Sequence, residues 1–239
     1  MSQRIFGIHA VKAALEAGSG SMLVVRGGRL NRRQLEVIEL AESLDVTVVR
    51  KDIATGTVDQ GIMLETLPVR FRSEGKLLEL LDQLDGNGYF LVLDGVTDPR
   101  NFGACLRNAA SFGLHGVIVP KDHSAPLSPA AIKVASGAAS ITPVFQVTNL
   151  ARCIDGLKKA GLWIIGTSLS DATRSFADVD LSGPVALVMG AEGKGIRPKT
   201  ARCCDYLVEI PMPFPDLSLN VAVATGICLY EIYRQRSAS

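Results

Sequence analysis

Apolar positions along the chain switch repeatedly between strand-like runs and helix-spaced stripes. Near the start, Ile8, Val11 and Leu15 fall on one helical stripe and Val37, Leu40, Ala41 and Leu44 on a second, while Met22–Val25, Val46–Val49 and Gly61–Glu65 predict strands. Between Leu67 and Gly88 the pattern turns polar: Phe71-Arg72-Ser73-Glu74-Gly75-Lys76 leads into a predicted helix that Asp85-Gly86-Asn87-Gly88 closes, the expected domain junction. Beyond it, apolar and β-branched runs return at Tyr89–Leu93, Gly116–Val119, Leu162–Gly166, Val185–Met189 and Tyr206–Ile210, separated by helical patterns. Such alternation predicts a parallel sheet covered on both faces. We therefore expect an α/β chain with a small domain over residues 1–69, a linker over 70–87 and a larger domain over 88–239.

Three segments of the larger part have the form of binding loops. The helix after its first strand is fully punctuated, with Asp98 as N-cap, Pro99 in the first turn and Gly113 just past the end. Its start lies at the carboxyl end of a strand, where open α/β sheets bind ligands, so the Asp94–Asn101 crossing is a candidate site. Directly after another strand, Gly190-Ala191-Glu192-Gly193-Lys194-Gly195 brings backbone within reach of a ligand. Its glycines run in the wrong order for a dinucleotide fingerprint, and the chain has no P-loop, which argues against NAD and ATP enzymes. Third, Pro211, Pro213 and Pro215 stiffen the approach to Ser218, the expected N-cap of an apolar helix running to Gln235. Taken singly, each segment also reads as an ordinary turn or cap.

Composition narrows the classes. With 47% hydrophobic and 21% charged residues the chain is neither disordered nor a coiled coil. A net charge of +1 excludes a protein held to nucleic acid by bulk charge, so any RNA contact has to be local. Ala17–Gln34 offers one such place: it holds Arg26, Arg29, Arg32 and Arg33 and no acidic residue. That cluster reads either as a phosphate grip or as a solvated helix start. Five cysteines, Cys105, Cys153, Cys203, Cys204 and Cys228, lack a C-x-x-C pair and fit reduced thiols in a cytosol. His9, His115 and His123 lack ligand spacing, so no metal is expected. Without an apolar leader or a bilayer-length apolar stretch, we expect a soluble cytoplasmic protein with no membrane partner.

Three blocks carry a resemblance when taken together: Asp94-Gly95-Val96-Thr97-Asp98-Pro99-Arg100-Asn101-Phe102-Gly103-Ala104-Cys105-Leu106-Arg107, then Val188–Ile196, then Ile210-Pro211-Met212 with Ser218-Leu219-Asn220-Val221. They resemble the SpoU/TrmH family of RNA ribose 2′-O-methyltransferases. Ile5-Phe6-Gly7-Ile8-His9-Ala10-Val11, Gln60-Gly61-Ile62, Val147–Arg152 and Thr225–Leu229 resemble the RlmB-type members that act on bacterial large-subunit ribosomal RNA. The resemblance implies a SPOUT-type parallel-sheet domain whose C-terminal part forms a trefoil knot, a homodimer, and a small N-terminal RNA-binding domain. It implies S-adenosylmethionine held at Thr167, Ser168, Gly190, Ile210, Met212 and Leu219, with Arg107, Asn101, Glu192, Ser218 and Asn220 around the transferred methyl group. The expected reaction is methylation of a guanosine 2′-hydroxyl in 23S ribosomal RNA, with the arginine cluster gripping the RNA. Phe214 and Ala222 depart from the family pattern, which has glycine and serine there. A transfer-RNA ribose methylase and a noncatalytic RNA-binding assembly factor on the same scaffold remain the alternatives.

Overall fold

The computed structural model describes residues 3–16, 18–53, 60–66, 69–168, 173–214 and 218–237. The chain divides into two compact units, residues 1–70 with 136–141, and residues 71–135 with 142–239. In the first, β1 (Gln3–Phe6), α1 (Ile8–Glu16), β2 (Gly20–Val25), α2 (Arg32–Ser43), β3 (Thr47–Arg50) and β4 (Ile62–Thr66) build a four-stranded sheet of order β1-β4-β2-β3. β4 runs antiparallel to β1 and β2, and β2 runs parallel to β3. Val11 and Leu15 of α1 and Val37 and Ala41 of α2 are buried with Leu23, Val25, Ile62 and Leu64. Leu44 lies past the last turn of α2 and is exposed, because the helix ends one residue before it. Asn31 caps α2 in a reciprocal box: its side chain accepts the Gln34 N–H at 3.0 Å, and Gln34 Oε1 accepts the Asn31 N–H at 2.8 Å.

The second unit starts with α3 (Glu74–Gln83) and continues through β5 (Tyr89–Asp94), α4 (Pro99–Ser111), β6 (Gly116–Pro120) and α5 (Pro129–Ala135). After α6 (Ala138–Ile141), in the segment that belongs to the first unit, come β7 (Val144–Val147), α7 (Leu150–Lys159), β8 (Trp163–Thr167), β9 (Arg174–Ser175), β10 (Val185–Gly190), α8 (Pro198–Ala201), β11 (Tyr206–Glu209) and α9 (Val221–Ser237). All seven strands pair in parallel, in the order β7-β6-β5-β10-β8-β11-β9. Residues 70–87, expected as a linker, fall almost wholly in this unit. The helix predicted there forms as α3, but Leu77 and Leu81 are buried in one cluster with Phe90, Phe145 and Ile154, so it is an amphipathic part of this unit's core and not a linker.

Two local features set up the site. Asp98 Oδ1 accepts the N–H groups of Arg100 and Asn101, both at 2.8 Å, and starts α4 where the sequence placed it. At Gly103 a β-carbon would strike the Ala131 carbonyl, so glycine lets α4 and α5 lie close together. Among the strands, β10 is inserted between β5 and β8, while β6 continues from β5 to the other side. Their carboxyl ends therefore meet at a topological switch point, with Asp94 closing β5 directly opposite Gly190 closing β10.

Candidate active site

Beyond Gly190 the chain folds back on itself. Ala191 and Gly195 exchange backbone hydrogen bonds at 3.0 and 2.8 Å, and a β-carbon on Gly190 would collide with the backbone of Gly195 and Ile196. Only glycine tolerates that approach. Loop 191–196 is thus a tight, backbone-rich wall standing at the switch point.

A cleft of about 320 Å³ opens on one side of this wall. Its lining includes Thr167, Ser168, Gly190, Ile210, Met212 and Leu219, all six positions expected to hold a cofactor, and also Glu192 and Ser218. Volume and composition suit a small ligand with an apolar body, since Val208, Ile210, Met212, Leu219 and Val221 alternate there with hydroxyls and backbone groups. Ser168 is fixed through its N–H, which donates to the Val208 carbonyl at 2.9 Å, and the Thr167 hydroxyl is within 3.4 Å of the Val188 carbonyl. Glu209 also lines the cleft and accepts from the Thr173 hydroxyl at 2.9 Å, a residue the sequence did not mark. A second cleft, about 580 Å³, shares Ala191, Glu192, Lys194, Gly195, Ile196 and Val221 with the first and adds Asp98, Asn101, His123 and Arg197.

Three of the five residues expected around the methyl group form a continuous hydrogen-bond chain. Asn220 Nδ2 donates to Asn101 Oδ1 at 2.9 Å, and Asn101 Nδ2 donates to Glu192 Oε2 at 3.2 Å. Asn220 Oδ1 in turn accepts the Ala222 N–H at 3.0 Å and the Val223 N–H at 3.4 Å, which makes it the cap of α9. The expectation that Ser218 caps this helix is therefore corrected: α9 begins at Val221, and Ser218 is an exposed member of the cleft wall. Pro215 and the two residues after it in the proline-rich approach lie outside the described residues. Arg107 is not brought into the chain of amides. It is exposed on α4, six residues beyond Asn101, and lines neither cleft.

The two departures do not obstruct the site. Phe214 is 68% exposed and is absent from the cleft lining. Ala222 is buried, and its carbonyl accepts the Asn108 amide at 2.7 Å, which ties α9 to α4. In the first unit, Arg26, Arg29 and Arg33 line a separate cleft with Asn31, Gln34 and Gln60, whereas Arg32 is exposed and paired with Glu36 at 3.1 Å. Among the described residues no cluster of metal-capable side chains forms, and no helix is long and apolar enough to cross a membrane. The sequence also passed over Arg197, whose only signal was an acidic residue, Asp94, ending an otherwise apolar strand.

Residues 88–230 match the model of the SpoU rRNA Methylase family. The chain is 45% identical over 243 residues to the 23S rRNA (guanosine-2′-O-)-methyltransferase RlmB of Pseudomonas syringae pv. tomato, covering 99% of this chain and 97% of that protein. Among solved structures, the SpoU methyltransferase AviRb from Streptomyces viridochromogenes has the same fold, with a TM-score of 0.71 at 23% identity over 99% of this chain and 90% of that one. The AdoMet-bound rRNA methyltransferase from Sinorhizobium meliloti has a TM-score of 0.68 at 25% identity over 98% and 87%. With the candidate residues Asn101, Glu192 and Asn220 gathered at the switch point of the parallel sheet, this chain belongs to the SpoU/TrmH family of methyltransferases and matches its RlmB-type members over nearly its full length.

Proposed function

We propose that the protein transfers a methyl group from S-adenosylmethionine to the ribose 2′-hydroxyl of a guanosine in 23S ribosomal RNA. The observation that carries this reading is the convergence of all six expected cofactor positions on one cleft beside the Asn220–Asn101–Glu192 chain, in a protein 45% identical to RlmB. The apolar walls at Ile210, Met212 and Leu219 would take the adenine, and the Thr167 and Ser168 hydroxyls with the backbone around Gly190 would take its polar edges. When bound, S-adenosylmethionine supplies an electrophilic methyl group on sulfur.

The chain's own groups do the positioning. Methylation forms a bond to the ribose oxygen and releases its proton, so the acceptor must lie in line and its hydroxyl must be oriented. Glu192 and Asn101, locked to each other, fix the wall between the two clefts, and the second cleft gives the acceptor nucleotide access to that wall. Arg107 is assigned contact with the target phosphate and hydroxyl; a guanidinium stays charged at any working pH and suits an oxyanion better than it suits proton abstraction. Arg26, Arg29 and Arg33 of the first unit grip RNA phosphates elsewhere. The C-terminal part of this domain would form the trefoil knot characteristic of the family. We read the protein as a cytosolic homodimer, and the apolar stripe left exposed on α9 supports the dimer. The position of Phe214 in solvent favours an active enzyme over a noncatalytic scaffold.

Labelled S-adenosylmethionine incubated with protein-free ribosomal RNA, immature ribosomal particles and bulk transfer RNA, followed by nucleoside mass spectrometry, tests this directly. We expect 2′-O-methylguanosine confined to large-subunit RNA. Product in transfer RNA alone would overturn the substrate, and no product with any substrate would overturn the activity.

A further inference from the structure

Asp94 is the one carboxylate in the described part of the second unit that is wholly buried, at 0% exposure, and both its oxygens are engaged by a single residue. Oδ1 accepts from Arg197 Nε at 2.6 Å and from Nη2 at 2.5 Å, while Oδ2 accepts the Arg197 backbone N–H at 3.1 Å. A buried carboxylate needs a paired and hydrogen-bonded partner, and a guanidinium with a backbone donor meets that need with charge-assisted bonds. The placement of this pair in the chain is what gives it meaning. Gly190 lies opposite Asp94 in the sheet, so the loop leaves from beside this carboxylate, and at Arg197 it returns to it. Between those two points stand Glu192 and the backbone that wall off the two clefts from each other.

We infer that Asp94 and Arg197 form a clasp that sets the height of loop 191–196, making both of them positioning residues for cofactor binding and for methyl transfer. Neither side chain is needed to touch the reacting atoms. The clasp closes the loop on the end of β5, the strand that leads into Asn101, so one carboxylate holds the two ends of the Asn101–Glu192 hydrogen bond in register.

The inference rests on the proposed reaction only for its second readout. The variants are Asp94→Asn, which keeps shape and one acceptor, and Arg197→Lys, which keeps charge but not the fork. Cofactor affinity is measured by calorimetry, saturated turnover on ribosomal RNA by methyl incorporation, and folding by thermal unfolding. We expect Asp94→Asn to weaken S-adenosylmethionine binding about tenfold or more, and to lower turnover at saturating cofactor while the fold persists, with Arg197→Lys intermediate in both. Affinity and saturated turnover within twofold of the parent in both variants would overturn the clasp, as would losses that only track the unfolded fraction. Should Asp94→Asn fail to fold, Arg197→Lys carries the test, since it retains the charge partner for the buried carboxylate. A parent protein that binds cofactor but methylates no RNA would refute the proposed substrate and leave the affinity readout of the clasp intact.

Discussion

Where β5 begins, Nδ1 of His115 accepts the Tyr89 N–H at 3.0 Å, so that nitrogen must be unprotonated for the bond to exist. Burial, and then the positive charge of Arg236, hold the imidazole pKa below its usual value. A base with a lowered pKa in the fold adds stability above its unfolded pKa of about 6.5 and loses it as pH falls through the lower folded value. The melting temperature is therefore expected to drop as pH falls below about 6.5, and His115→Gln, which keeps an acceptor that does not titrate, should flatten that slope; scanning fluorimetry at stepped pH would measure it. The cysteines give the converse case, for burial pushes Cys105 up to about 11 and Cys228 up to about 12, which leaves them inert as thiols at neutral pH. At this scale a motif singled out Asn101, Glu192 and Asn220, and the structure joins the three in one hydrogen-bond chain. The sequence was silent on Arg197, because an arginine two positions beyond a glycine loop looks like any surface cation until the fold brings Asp94 beneath it.

Elements were legible in proportion to their punctuation. α4 has an N-cap, an early proline and a terminal glycine, and it forms as predicted; β7 is only four residues long and follows the alanine-rich 130–139 stretch, whose periodicity favours no single element. For α9 two neighbouring residues could serve as caps, and local sequence does not choose between them. Tertiary contact does, since the Asn220 amide is held by Asn101. Asn220→Ala should accordingly cost about 1 kcal/mol of stability through the lost cap, while Ser218→Ala leaves stability unchanged; urea unfolding of both variants checks this. The Asn220 variant also frees Asn101 and so should slow methyl transfer.

For the molecule as a whole, the second unit leaves an apolar stripe uncovered along α9. Val223, Ile227 and Tyr230 recur at helical spacing and are 52%, 43% and 57% exposed. A stripe of that kind on a surface helix marks an interaction face. Light scattering should return about twice the 25.4 kDa chain mass for the parent and the single mass for Ile227→Glu combined with Tyr230→Glu. The α/β class and the parallel sheet followed from the strand spacing, whereas the strand order, with β10 between β5 and β8, is a long-range fact that no local pattern encodes. The same is true of residues 136–141, which follow 65 residues of the second unit yet group with the first, where Gly137 packs against Ile5. This has a bearing on synthesis. Ribosomes extend chains at roughly 5–20 residues per second, so the small unit, though encoded first, waits several seconds after its own strands emerge before its last segment exists. During that interval the surface around Ile5 that this segment covers is open to the cell, and a chaperone or a premature partner has its best opportunity to bind there.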